Sequence, residues 1–391
     1  MKRNRKRKYL RVLYGMFLSA LLGAFLGAPV QAAETEDGLS PDEIYAQQYE
    51  ESGAGELIEA LPEEARGPME RMGVTGADWE SIQALSPEEI LAELGTATKD
   101  AAAGPLRSAA GVMGVILLCA LISGVDSGIR PLGGVMTLIG SLCVCTALIL
   151  PLTECIADAA AVINGAAVFT LACVPVLAGM LAAGGQPTAA ASYSFLMLSA
   201  GNAISVASSV LIVPLLNIFL SFSLISGISP QIKLKGICDL FSQVVKWVLG
   251  FVMTVFTAIL GMQTFVTSAA DAASVKTTKF VVSSFVPVVG SALGDAVTTV
   301  QGCVKLLKSG AGAFALIAGA VIFLPVLLRC LLWILTCHIC AGVGDLFSLP
   351  ELAAVLRAAG KTMGILVSVI LCCLTVIVVS SVLVITGGGG S

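Results

Sequence analysis

Two short phrases put a carboxylate in the same chemical company. Gly236-Ile-Cys-Asp239-Leu-Phe241-Ser and Gly342-Val-Gly-Asp345-Leu-Phe347-Ser share the pattern Gly-x-x-Asp-Leu-Phe-Ser. An acid written twice in apolar surroundings could be a repeated proton-transfer or cation site. In the first copy, however, Ile237, Leu240, Phe241, Val244, Val245 and Val248 recur at helical spacing. Asp239 then stands at a helix start, where a carboxylate accepts the amide of Ser242 and complements the helix dipole. Asp345 can do the same, and Ser348-Leu349-Pro350-Glu351 reads as the start of a further capped helix. Gly236, Asp239 and Phe241, with Gly342, Asp345 and Phe347, are therefore candidate docking points or helix caps, the cap being the simpler reading.

Other candidate chemistry is sparse. Arg329 lies inside an apolar run, so it must face a bundle interior or a cavity, or reach an interface with its long side chain. Cys337-His338-Ile339-Cys340 holds the single histidine, and no second Cys/His pair completes a zinc set. There is no phosphate-cradling glycine loop, no Ser/His/Asp set and no basic nucleic-acid surface. An enzyme is not expected, and no cofactor is implied.

The elements that must hold these residues are membrane helices. The chain has 391 residues, 57% hydrophobic and 12% charged, against roughly a quarter charged in soluble domains. Residues 2–11 carry seven Lys/Arg and no acid, an apolar run follows, and Val30-Gln31-Ala32 offers a small-residue cleavage site. That order describes a secretory signal peptide over 1–32. Residues 34–100 hold eighteen of the twenty-six acids, three bases and no cysteine. Ser40 and Ser86, each with proline next and glutamate at the third position, announce helix starts there. Residues 33–106 thus read as a small acidic exported helical region suited to docking and spacing. All twelve cysteines lie beyond it, as apolar packing residues.

Spanning-length apolar segments, about twenty residues each, occur at 108–125, 132–152, 204–228, 247–268, 310–335 and 362–385. Two shorter segments, 168–185 and 280–294, are interrupted by Pro175 with Gly179 and by Pro287 with Gly290. Three landmarks correspond in order: Pro175 with Pro287, Pro214 with Pro325, and Asp239 with Asp345. The expected fold is therefore an all-α polytopic membrane protein: a two-helix hairpin over 107–164, then tandem repeats over 165–268 and 278–385, and a flexible Gly/Ser tail at 386–391. Lys233, Lys235 and Lys246 near the first phrase, and Arg357 and Lys361 near the second, put both on the cytoplasmic side and make the repeats parallel. Parity then requires that 168–185 and 280–294 be re-entrant or broken rather than spanning. Lys276, Lys279, Lys305 and Lys308 fall against the charge rule. Alternatively, 189–228 holds two helices and 168–185 is a true span. Paired broken helices are where transporters place their pathways, so Pro175, Gly179, Pro287, Gly290 and Arg329 are candidate pathway residues.

The stretch 270–300, with Phe285-Val-Pro-Val-Val-Gly-Ser-Ala-Leu-Gly-Asp-Ala-Val297, and the Asp-Leu-Phe-Ser phrases resemble the stage III sporulation protein AE family. The resemblance is close over 105–385 and loose over the exported region. It implies a multi-pass protein of the mother-cell membrane around the forespore, within a secretion-like channel assembly. Implied partners are the other stage III A membrane proteins, including a cytoplasmic ATPase and ring-forming subunits, a forespore membrane protein opposite, and the lipid bilayer, with no nucleic acid. The resemblance carries no catalytic residues. The alternative is a stand-alone secondary transporter or permease that uses the paired broken helices.

Overall fold

Local sequence signals for helix starts are realised where they can be seen. Ser86 Oγ accepts the amide of Glu89 at 3.2 Å, and Glu89 Oε2 accepts the amide of Ser86 at 3.4 Å, a capping box. Asp78 likewise takes the amide of Ser81 at 2.6 Å and its hydroxyl at 2.7 Å. The computed structural model describes residues 41–83, 85–125, 133–183, 186–228, 235–285 and 290–386. Side-chain surroundings are described for these apart from 123–137, 209–211, 227–235, 263–301 and a few single positions. The signal-peptide segment, Pro287 and the tail beyond Thr386 lie outside the described residues.

Every regular element among the described residues is helical. The acidic region forms α1 (Pro41–Ser52), a short turn over Ala54–Ile58, α2 (Glu63–Arg71) and α3 (Trp79–Gln83). Seven longer helices follow: α4 (Pro87–Val125), α5 (Gly133–Ala183), α6 (Pro187–Val206), α7 (Val213–Ile228), α8 (Lys235–Phe285), α9 (Gly290–Leu346) and α10 (Pro350–Thr386). Among the described residues, six helices are long and apolar enough to cross a membrane: Glu88–Ile122, Leu138–Ala183, Pro187–Val206, Gly236–Met262, Gly302–Leu346 and Pro350–Val382.

The spans differ from those the hydropathy pattern predicts. Segment 168–185 is not a separate broken piece: α5 runs 51 residues through Pro151 and Pro175 to Ala183. A mid-helix proline costs about 3 kcal/mol through its missing N–H and its ring clash. Packing offsets that here, because Cys173, Val174 and Leu177 around Pro175 are all buried. The single helix predicted over 204–228 is divided into α6, a wide π-type turn over Ala207–Ile212, and α7. Ser208 in that turn donates to the Ala160 carbonyl at 2.7 Å, and Ser205 to Asn164 Oδ1 at 2.6 Å. The stretch 189–228 thus holds two α-helices joined through that turn, of which α6 is long enough to span and α7 is shorter. The repeat landmarks do not fall on matching elements: Pro175, Pro214 and Asp239 sit on α5, α7 and α8, whereas Pro325 and Asp345 share α9.

Small residues set the closest packing. On α9, Ala311, Ala315 and Ala318 are buried against neighbours. A Cβ at Gly312 would meet Ile385 Cγ1 at 2.5 Å, and one at Gly319 would meet Ile377 Cγ2 at 2.9 Å, so isoleucine side chains of α10 seat directly on the glycine backbone of α9. Nor is the acidic region a loose, solvated appendage. Leu57, Leu61, Met69, Met72 and Val74 are buried in the same apolar core as α5, α9 and α10. Gly310 of α9 packs directly on the backbone of residues 77–79.

Candidate functional site

Both repeated aspartates are held by one helix. Lys361 of α10 pairs with Asp239 of α8, and Arg357, one turn earlier on α10, grips Asp345 with contacts of 2.6 and 3.3 Å. The two phrases therefore meet side by side at one end of the bundle. All four side chains stay about one-third to one-half exposed, so each pair contributes on the order of 1 kcal/mol or less. Their value is positional: α8, α9 and α10 are fixed to each other where their polar ends converge. Phe241 adds a stacked contact to Phe219 of α7, with ring centroids 4.8 Å apart.

The structure corrects the cap reading in detail. Asp239 lies in the second turn of α8 and faces Lys361, and Asp345 lies at the end of α9, not at a helix start. A carboxylate at a helix C-terminus opposes the dipole, and the Arg357 guanidinium offsets it. Ser348 does not cap α10. It adopts the left-handed conformation (φ 57°), its amide bonds Asp345 O at 3.0 Å, and the Leu349 amide bonds Gly344 O at 2.9 Å. This is the Schellman arrangement that closes α9, and Pro350 starts α10 directly after it. Phe347 is partly exposed beside this turn, while Gly236 and Gly342 have open space where a Cβ would stand.

A second locus lies deeper. A cavity of about 980 Å³ opens between α2 and the first half of α4 on one side and α5 and α9 on the other. Its lining carries five carboxylates (Glu63, Glu64, Glu93, Asp100, Asp158) and two guanidiniums (Arg71, Arg329), over an apolar floor that includes Val162, Val321 and Val326. Arg71 holds Glu93 through two contacts of 2.6 and 2.9 Å. That contact, foremost, raises the guanidinium's already high pKa. Arg329, the costly charge inside the apolar run, borders this cavity and pairs with Asp158 of α5.

Sequence reasoning singled out Arg329 and missed its partner. A signal existed: Glu154 and Asp158 are the carboxylates of an otherwise apolar 51-residue helix, and a cation set in an apolar helix calls for such an acid. Pro175 and Gly179 sit in the body of α5, with open space at Gly179 and with Val176 against Gly53 of the acidic region. They do not converge with Arg329 among the lining residues of the cavity. Gly290 is the first residue of α9.

Described residues whose regular elements are all helical, six of them fit to cross a membrane, define the class: a multi-pass helical membrane protein. The stage III sporulation protein AE family matches residues 83–389, and the chain belongs to that family. It is similar to the Bacillus subtilis (strain 168) protein named Stage III sporulation protein AE, with 27% identity over 144 residues, 37% of this chain and 36% of that relative. The match thus spans little more than a third of the relative's length. No solved structure matches the chain.

Proposed function

We propose that the chain is a non-enzymatic integral-membrane subunit of a secretion-like channel assembly that links mother cell and forespore during endospore formation. The observation that carries this reading is the family match, which extends over α4 to α10 and so takes in the whole apolar bundle. In this reading the partners are other stage III A membrane proteins, a cytoplasmic ATPase and ring-forming subunits among them, and a forespore membrane protein opposite.

The fold suggests how such a subunit sits. Helices α5 and α9, at 51 and 57 residues, are about 76 and 85 Å long at 1.5 Å per residue. A hydrocarbon core is only about 30 Å thick. The charged helices α2 and α3 pack beside Gly165 and Gly310, so those parts of α5 and α9 project from the bilayer on the acidic, non-cytoplasmic side. The end where Asp239 and Asp345 meet α10 is then the cytoplasmic docking face. Affinity purification of the tagged chain from sporulating cells tests the reading: co-purification of other sporulation membrane proteins is expected, and recovery of the chain alone overturns it.

The cavity beside Arg329 favours a second reading, a solute permease. It predicts solute flux in proteoliposomes that Arg329→Ala abolishes. The channel-subunit reading predicts no flux from the isolated chain.

A further inference from the structure

Directly behind the Arg329–Asp158 pair, two thiols meet. Cys155 Sγ of α5 and Cys330 Sγ of α9 are 3.7 Å apart, and both residues are fully buried. They are remote in sequence and belong to the two longest-reaching helices under the cavity. By contrast, Cys337 and Cys340 share α9, and Cys372 and Cys373 are consecutive on α10. A disulfide requires the sulfurs at about 2.05 Å. The remaining approach of under 2 Å is within reach of a χ1 rotation at either residue with a small slide of one helix.

The cavity supplies the route. Asp158 follows Cys155 by one helical turn and Arg329 immediately precedes Cys330; both line the cavity and keep side-chain exposures of 51% and 34%. A small reagent in the cavity is thus one layer of side chains from the sulfurs. We propose that Cys155 and Cys330 form a reversible dithiol–disulfide site that joins α5 to α9 beneath the cavity. The oxidant is a disulfide, either low-molecular-weight or carried by a thiol oxidoreductase. One cysteine thiolate attacks a sulfur of that disulfide, expels one thiolate and forms a mixed disulfide. The second cysteine then attacks the first cysteine's sulfur and expels the other thiolate. The two protein thiols lose two electrons and two protons, and the oxidant leaves as two thiols. The product fixes α5 against α9, so the Arg329–Asp158 pair cannot separate by movement of the two helices. This site depends on no part of the proposed function.

The test uses full-length protein in lipid nanodiscs treated with 4,4′-dithiodipyridine, followed by peptide mass spectrometry without reduction. The expected product is a Cys155–Cys330 cross-linked peptide that dithiothreitol reverses, with the oxidised protein's thermal midpoint raised by several degrees. In Cys330→Ser, and independently in Cys330→Ala, Cys155 is expected to carry the thiopyridyl group with no cross-link. The proposal is overturned if exposed Cys143 is modified while Cys155 and Cys330 remain free. It is equally overturned if each carries its own thiopyridyl group, or if either is linked to a different cysteine.

Discussion

Gly310 is the position where one added carbon tests how the acidic region is seated. A Cβ there would lie 2.9 Å from the Trp79 amide nitrogen, 3.0 Å from the Ala77 carbonyl oxygen and 3.2 Å from the Asp78 carbonyl carbon. All three are backbone atoms, which cannot rotate away as a side chain would. Relaxed contacts of this kind sit at about 3.5 Å or more, so Gly310→Ala must push residues 77–79 outward by roughly 0.5 Å. Overpacking of this sort costs about 1–3 kcal/mol. Full detachment is far dearer: Leu57, Leu61, Met69, Met72 and Val74 are all buried, and each is worth about 1.5–3 kcal/mol in transfer terms. The region should therefore stay docked but open more often. At 1.4 kcal/mol per tenfold, amide exchange there should quicken by about 5- to 150-fold. The Val74 amide, bonded to Met69 O at 3.0 Å and buried, is the probe. Hydrogen exchange by mass spectrometry in nanodiscs reads it. Gly179→Ala is the control, since nothing lies within 4 Å of that Cβ and the change only adds helix propensity. If Gly310→Ala leaves exchange at Val74 within twofold of the control, the seating described here is wrong.

Three further outcomes follow from the geometry. In a double-mutant cycle, Asp239→Asn and Lys361→Ala should show a coupling of about 1 kcal/mol or less that shrinks with added salt, because both groups are partly exposed; a salt-independent coupling of several kcal/mol contradicts the pairing. Ser348→Gly should stabilise the protein by roughly 1 kcal/mol, since a left-handed residue carries a strain that glycine lacks; a lower thermal midpoint contradicts it. Burial first, with the Asp78 charge adding to it, raises the phenol pKa values of Tyr45 and Tyr49 above the ordinary 10.0. The folded state then holds these protons more tightly than the unfolded chain. Stability of the acidic region should be full below about pH 10 and fall as pH climbs through the raised values; Tyr49→Phe should flatten that decline in circular dichroism titrations.

The sequence by itself determined the properties that one segment can express alone. Long apolar runs without charge form helices in a membrane-like setting, because a helix satisfies all its backbone polar groups within the one segment. The Ser86–Glu89 cap is a four-residue contact and was legible for the same reason. So was the peculiarity of Arg329, whose cost depends only on its neighbours in the chain. Tertiary structure decided the rest, through contacts between residues far apart. Asp158 as the partner of Arg329, α10 as the holder of both Asp239 and Asp345, and the Cys155–Cys330 contact all depend on how the helices are juxtaposed. Pro175 shows the limit most plainly. Proline disfavours a helix locally, and the sequence reading broke the chain there. Burial of Cys173, Val174 and Leu177 around it outweighs that local penalty and carries α5 straight through.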